Sequence, residues 1–547
     1  MRHREMKILL HCLWMVALRA SHLHAQAPEW NWAMALTGPN NESISQIATD
    51  PAGAIYITGS YSSPTLILGA TTLTNTDPTD DMFVAKFHPD GSLVWAVDTD
   101  GPGYEAGRAI AVDPTGHAYI LMAFMGSLTY GGQTFGSADI ADVLLAKLDQ
   151  DGNPIWVRKI SSPGADRPED LALDPFGNVI ISGSFEGAQM VIGPSTFINQ
   201  GGEDAFVAKF SATGDHIWSR CFGGTTDESC YGVSVDPSGN VIAVGSFDSS
   251  SFSIGSIPLG SLGNDDSFIA QFTSAGSPAW AVSAGGDEYD LARGVECTPT
   301  GDLIVLGYSS SGTFAVGGLE AQGGGGGDVF IMMLHSDGEA GWVTLLGGDQ
   351  YEYPSHQVGL DSNGNIYIAG CFQSASLGAG ASTLTNLGDN DAFVAKLAPD
   401  GVIQWAASGG GAGFEVPSGM AVDDLGNVCI AGRHTLDQDM AFGSTLLVSD
   451  GEDNAFFARL GNLDVGTEDL LLANHGSLQW NADLGQLVID PWRTGTLFFS
   501  VHDLQGRQVV GTMVSDRTTV DLSGYSSGLY VVVLTTAGRR EVRRIYK

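Results

Sequence analysis

A carboxylate lies ten residues after each of seven evenly spaced tryptophans. The carboxylates are Glu42, Glu105, Asp166, Glu228, Asp290, Glu352 and Glu415; the tryptophans are Trp32, Trp95, Trp156, Trp218, Trp280, Trp342 and Trp405. Carboxylates gathered on one face could form an acidic ring that attracts cations, calcium among them, or basic partners. The same groups could instead accept hydrogen bonds from backbone N–H groups of their own loops. Recurrence in every unit favours that structural use, since a binding site on a ring is normally built from unequal residues. A second series, Asp81, Asp142, Asp204, Asp266, Asp328 and Asp391, stands fourteen residues before six of the tryptophans and reads the same way.

Other candidates for chemistry are weaker. Gly524-Tyr-Ser526-Ser-Gly528 fits G-x-S-x-G, but a nucleophile elbow needs a strand leading into a helix, and this segment joins two strands. His88, His117, His216, His335, His356 and His434 share no spacing with one another or with a repeated Ser or Cys. The chain contains no H-E-x-x-H, P-loop or EF-hand motif. Asp149-Gln-Asp151-Gly152-Asn resembles a calcium loop but occupies a turn that reads His88-Pro-Asp-Gly in another unit, so it reads as a turn. Cys12, Cys221, Cys230, Cys297, Cys371 and Cys429 include no C-x-x-C pair, which excludes zinc-ribbon and thioredoxin-like chemistry. Cys221 and Cys230 flank one loop, where a bridge is one alternative and two packing thiols the other. The reading that results is no catalytic residue, no metal site and no cofactor.

These residues need elements to position them, and the composition says which. Glycine supplies 74 residues without a period of three and sits in turns between short apolar runs, the pattern of an all-β chain. The tryptophans recur at intervals of 61 to 63 residues, a period of propellers or arrays. A second landmark, Val235-Asp236-Pro237-Ser238-Gly239-Asn240, recurs in register at Asp50, Asp113, Asp174, Thr298, Asp361 and Asp423. Each unit reads as four strands. In the unit ending at Trp218 they are Leu171–Asp174, Asn178–Phe185, Ala205–Phe210 and His216–Arg220, with an extra hairpin or long loop between the second and third. Asp204-Ala-Phe-Val-Ala-Lys-Phe210 is apolar on both faces, as a blade between two blades must be. Asn454-Ala-Phe-Phe-Ala-Arg-Leu460 has no tryptophan strand after it, whereas Glu29–Leu36 carries one before any complete unit. A closed seven-bladed ring, with the N-terminal strand completing blade seven, resolves both ends and leaves no open sheet edge.

The units resemble the bacterial β-propeller repeat known as the SBBP repeat, through the Val-Asp-Pro-x-Gly-Asn and Asp-x-Phe-Val-Ala-Lys-Phe segments across residues 29–460. That resemblance implies an exported or surface protein and no single activity. The fifth unit departs most, with Thr298 in place of Asp and Phe330-Ile-Met-Met-Leu in place of Phe-Val-Ala-Lys-Phe.

The two ends differ from the repeats. Arg2, Arg4 and Lys7 precede the apolar run Ile8–Leu18, and Ala25-Gln26-Ala27 offers small residues for cleavage, so residues 1–27 read as a secretory signal peptide. No segment reaches the ~20 apolar residues of a membrane-spanning helix. From Leu463 the period stops, and the strands Gln486–Ile489, Leu497–Asp503, Val509–Val514, Thr519–Leu522 and Gly528–Leu534 suggest a small β-sandwich. Val501-His-Asp-Leu-Gln-Gly-Arg507, Val520-Asp-Leu-Ser-Gly-Tyr525, Gly528-Leu-Tyr-Val-Val-Val533 and Arg543-Arg-Ile-Tyr-Lys547 resemble the C-terminal sorting domain of the type IX secretion system, without its usual Pro-Asn-Pro opening. This implies that residues 463–547 engage that machinery and deliver the protein to the cell surface or the medium.

Charge narrows the partners. The net charge is −38; with +3 on residues 1–27 and −1 on 463–547, residues 28–462 carry −40. A surface this negative repels nucleic-acid phosphates and anionic lipid headgroups. The expectation is an all-β, seven-bladed propeller over residues 28–462 that binds an extracellular protein or glycan without catalysis. The alternatives are an enzyme acting on extracellular polysaccharide and a structural or adhesive surface component. Unequal polar and aromatic residues at one mouth of the central channel would favour ligand binding or catalysis, and a uniform ring would favour the structural role.

Overall fold

The computed structural model describes residues 27–99, 101–137, 140–423, 426–435, 438–449 and 453–461, together with the strands of the C-terminal region. The described residues are all β, and the chain divides into two compact units, residues 1–461 and 462–547. The leader segment and the sorting-motif stretches 503–507 and 523–528, with Ser526, lie outside the described residues.

The first unit is a seven-bladed β-propeller, each blade a four-stranded antiparallel sheet. In blade three the strands, from the centre outward, are Asp166–Leu173, Val179–Phe185, Asp204–Phe210 and His216–Phe222. The seven innermost strands begin near the ring carboxylates, and each touches the next until the strand of blade seven, Phe414–Val422, meets that of blade one, Glu42–Thr49. Blade seven takes its outermost strand from the N-terminus: Glu29–Leu36 pairs antiparallel with Asn454–Gly461, Ala33 opposite Ala458 and Leu36 opposite Ala455. The 18-residue stretch between second and third strands is a short hairpin in every blade, Gln189–Ile192 with Ser195–Ile198 in blade three. In blades five and seven this hairpin also pairs with the outermost strand of the preceding blade, at Ala284–Val316 and Gly410–Ala441.

Two devices hold the ring together, one between blades and one within each blade, and explain why their residues recur. Six of the seven repeat tryptophans donate their indole N–H across to a turn of the next blade. Trp95 reaches the Gln150 carbonyl at 2.7 Å, Trp156 the Ala212 carbonyl at 3.1 Å and Trp218 the Ser274 carbonyl at 3.1 Å. Trp280 and Trp342 do the same to Ser336 and Pro399, and Trp32, on the closing strand, reaches Pro89 of blade one at 3.2 Å. Trp405 is buried edge-on to Tyr367. The ring needs glycine beneath it: Gly276 has φ +81°, and a Cβ there would lie 2.6 Å from Trp218.

The Asp-Pro-x-Gly-Asn turns are the second device. Asp174 accepts the N–H groups of Phe176 and Asn178 and the Asn178 amide, and pairs with Lys209 of the third strand at 2.8 Å. Equivalent pairs join Asp50 to Lys86, Asp113 to Lys147, Asp361 to Lys396 and Asp423 to Arg459. The two departures of the fifth repeat are therefore one change, because Thr298 and Met333 stand where that ion pair would be. The blade keeps its four strands.

The second unit contains two four-stranded antiparallel sheets. One orders its strands Leu470–Leu472, Gly476–Asn481, Gln486–Pro491, Thr518–Asp521; the other Gln508–Val514, Leu497–His502, Leu529–Thr536, Arg539–Tyr546. The basic C-terminal segment is itself a strand, paired with Leu529–Thr536.

Candidate functional site: the channel mouth

The seven ring carboxylates do not sit on loops. Six are the first residue of an innermost strand and Glu415 is the second, all at most 1% exposed. Pro168 and the irregularity at Glu169 break the apolar alternation in blade three, which is why the sequence pattern placed the strand's start five residues late.

The carboxylates fasten the preceding loop. Asp166 accepts the Ser162 N–H at 2.7 Å, Asp290 the Gly286 N–H at 2.7 Å, Glu352 the Gly348 N–H at 2.8 Å and Glu415 the Gly411 N–H at 3.1 Å. Glu228 does the same with Gly224 and also takes the Ser249 N–H. Serine hydroxyls add to this, Ser63 donating to Glu42 and Ser311 to Asp290. Glu105 is fully buried beside Gly101, where a Cβ would lie 2.5 Å from its carboxyl oxygen.

The second series, at the head of each third strand, faces the first across the blade junction. Burial, and then the neighbouring Asp142, push the Asp166 carboxyl up to about 7; burial with Asp391 and Asp389 nearby pushes Glu415 to about 8. Asp290 is raised by burial to about 6, against hydrogen bonds from Ser309, Ser311 and Gly286. Asp391 is likewise raised by burial to about 6. In blade seven Asn454 replaces the Asp.

A different ring faces the channel. Every innermost strand carries a β-bulge, which leaves a residue unpaired and re-aims its side chain. The bulges fall at Ser45, Arg108, Glu169, Tyr231, Arg293, residues 355–357 including His356, and Ser418. In blades three, six and seven a proline (Pro168, Pro354, Pro417) precedes the bulge, where a missing N–H costs no ladder bond.

These residues are unequal and they converge. The Arg293 guanidinium lies 4.4 Å from the Tyr231 ring centre. Burial in the narrow channel pushes Glu169 up to about 7, with Arg108 and Arg293 opposing it. His356 is accessible to solvent, yet the channel walls around it push its imidazole down to about 4, with Arg293 and Arg108 adding their repulsion. Two arginines, from blades two and five, thus face one small volume with Glu169, Tyr231 and His356. Among the described residues neither guanidinium is within 4.0 Å of a carboxylate, and Arg108 reaches the Tyr104 hydroxyl at 3.4 Å; the cations of the turn device are each paired with an aspartate.

One step deeper, side chains from three blades close the gaps that the bulges open. Asp170 takes the Gln46 amide at 2.9 Å and the Val233 N–H at 3.0 Å; Gln357 takes the Met420 N–H at 2.9 Å and gives its amide to the Ile47 carbonyl. Small residues make room: a Cβ on Gly419 would lie 3.0 Å from both Gln357 and Gln46. Below these clamps runs a cavity of about 410 Å³, walled by Ile47, Ile110, Leu171, Val233, Val295 and Met420, with Asp170, Glu296 and His356 its ionisable residues. Burial and Asp170 push Glu296 up to about 7.

None of the mouth residues except His356 drew attention in the sequence, because repeat comparison selects positions that stay the same. Their signal is the opposite one, a position three residues after each carboxylate where Ser, Arg, Glu, Tyr, Arg, Ser and Ser differ. Of the other sequence candidates, Asp149 holds its turn by accepting the Asp151 and Asn153 N–H groups. Cys221 and Cys230 are both free thiols. No group of three or more His, Cys, Asp or Glu among the described residues is arranged to hold a metal ion.

The chain is thus a seven-bladed β-propeller whose repeated residues build the ring and whose unrepeated ones meet at one mouth of its channel. A family model of the SBBP β-propeller repeat matches residues 341–370, from the outermost strand of blade five into blade six. An uncharacterized WD repeat-containing protein of Acanthamoeba polyphaga mimivirus is 21% identical, covering 55% of this chain and 27% of the relative, so the chain spans about a quarter of that relative's length. Similar solved structures include a protein of unknown function from Dyadobacter fermentans, at 11% identity and TM-score 0.37, covering 80% of this chain and 99% of that one. Another is puromycin hydrolase, at 12% identity and TM-score 0.38, covering 85% of this chain and 61% of that one.

Proposed function

We propose that the propeller is a non-catalytic binding module that takes an extracellular protein or glycan ligand at the channel mouth. The observation that carries this reading is the convergence of unequal bulge residues, Arg108, Glu169, Tyr231, Arg293 and His356, on one end of the channel. A scaffold needs no such variety, since its ring is already held by the repeated tryptophans and carboxylates. Glycan-array and lysate capture with the full chain, against Tyr231→Ala and His356→Ala, tests this. The variants should lose about tenfold or more in apparent affinity while melting like wild type. Equal capture by all three would refute it.

Export is part of the same proposal. It is supported by Arg2, Arg4 and Lys7 before the apolar run Ile8–Leu18, and by the sorting-like segments of residues 501–547. Truncation at residue 462 should leave the propeller in the periplasm of a host with type IX secretion; truncated protein in the medium at wild-type level would contradict the assignment.

A further inference from the structure

The face that carries the mouth also carries exposed aromatic side chains. Tyr353, three residues before His356 on the same innermost strand, stacks on Tyr308 at 5.2 Å and on Tyr351 at 6.1 Å, the rings nearly parallel at 12° and 6°. Tyr351 and Tyr353 are 40% and 39% exposed despite this stacking, and Tyr289, just before the innermost strand of blade five, is 51% exposed. The Ser310 N–H bonds the Tyr289 carbonyl, which fixes that loop against the Tyr308 strand. A rigid tier of phenol rings with open faces and edges is amphipathic, apolar across the ring and polar at the hydroxyl. Such a surface suits the apolar face of a pyranose ring. Three residues of chain keep the backbones of Tyr353 and His356 within about 11 Å of each other even across the bulge, within reach of one short oligosaccharide.

The mouth supplies the complementary chemistry. Arg108 and Arg293 offer planar donor forks suited to a carboxylate, and Arg293 is braced on Tyr231. Ser45, Ser418 and His356 can exchange hydrogen bonds with hydroxyl groups. The charge of the chain limits the ligand further. At −40 over residues 28–462, the surface disfavours a polyanion, while a single acidic group reaching into the mouth meets two local cations against one carboxyl, Glu169, which burial pushes up to about 7.

We propose that the tyrosine tier and the channel mouth form two adjoining subsites for a short, singly acidic oligosaccharide, a terminal hexuronate carboxylate on Arg108 and Arg293 and the next sugar ring on Tyr353. This rests on the mouth being the binding site. The test is isothermal titration of the full chain with cellobiouronic acid (glucuronosyl-glucose) and with neutral cellobiose. Cellobiouronate should bind at least about tenfold more tightly than cellobiose, the contribution of a charge-assisted fork. Arg293→Gln should erase that preference, and Tyr353→Ala should weaken both sugars, each variant keeping the wild-type melting temperature. Equal affinity for the two sugars, or binding of neither, overturns the hexuronate inference. In that case loss of captured array or lysate ligand in Tyr231→Ala still upholds the mouth reading. Binding of cellobiouronate unchanged by Arg293→Gln and by Tyr231→Ala overturns both.

Discussion

Deleting residues 29–36 should cost about 5 kcal/mol or more and make the protein associate with itself more strongly than wild type does. The strand supplies Ala33 and Leu36 to the core and packs Trp30 on Phe442 at 4.6 Å and Trp32 edge-on to Phe457 at 5.2 Å. At ~25 cal/mol per Å² its apolar burial alone is worth several kcal/mol. Without it, Asn454–Gly461 becomes an apolar open edge, a template for pairing with another chain. Trp32→Ala alone should cost about 2–3 kcal/mol, below the usual range for a fully buried tryptophan, because the indole is half-buried. Urea unfolding and light scattering check both. A deletion that unfolds like wild type and scatters light no more than wild type would mean the ring does not close through this strand.

Alkaline solution should destabilise the propeller more than mild acid. Asp166, Asp290, Asp391 and Glu415 titrate at about 7, 6, 6 and 8 in the folded chain, raised by burial, and near 4 when unfolded. Between those limits the native state holds more protons than the unfolded state, so stability falls as pH rises. The decline begins above about pH 4 and flattens beyond about pH 8. The turn aspartates act in the opposite sense at lower pH. Asp174 and Asp361 are lowered, since bonds from Lys209 and Asn178, and from Asn365 and Lys396, outweigh burial; their contribution is lost as pH drops below about 4. The melting temperature should therefore peak near pH 4, and moving from pH 5 to pH 8 should remove on the order of 5 kcal/mol. Glu415→Gln, which keeps an acceptor in the shape of the neutral acid, should be nearly silent at pH 5 and stabilising at pH 8. A melting temperature that rises from pH 5 to pH 8 would show these carboxyls ionised in the fold.

The parts of this molecule that were legible are those that recur. A tryptophan every 61 to 63 residues marks an indole that must clasp the next blade, and the spare tryptophan strand at residues 29–36 matches the strand missing after Leu460. Short hairpins such as Gln189–Ile192 with Ser195–Ile198 were blurred, because four-residue strands with one exposed face give little periodicity. The innermost strands were cut short wherever a bulge reversed the alternation, and that moved the ring carboxylates onto loops. The pairing of Asp with Lys was hidden in the motif itself; the loss of both at Thr298 and Met333 only makes sense once Lys209 is seen on Asp174. The mouth was hardest to see, since Arg108, Glu169, Tyr231 and Arg293 share nothing but their offset from a carboxylate.

That a ligand enters at this mouth is tested most directly by plugging it. Ser418 is the bulge residue of blade seven and is partly exposed, so Ser418→Trp adds bulk at the opening without removing a group that binds the ring together. Full-length wild type and Ser418→Trp are titrated against the same captured ligand, with their melting curves compared. A loss of binding of about a hundredfold or more at an unchanged melting temperature is the predicted result. Undiminished affinity in the plugged, folded protein would place the binding surface elsewhere on the propeller.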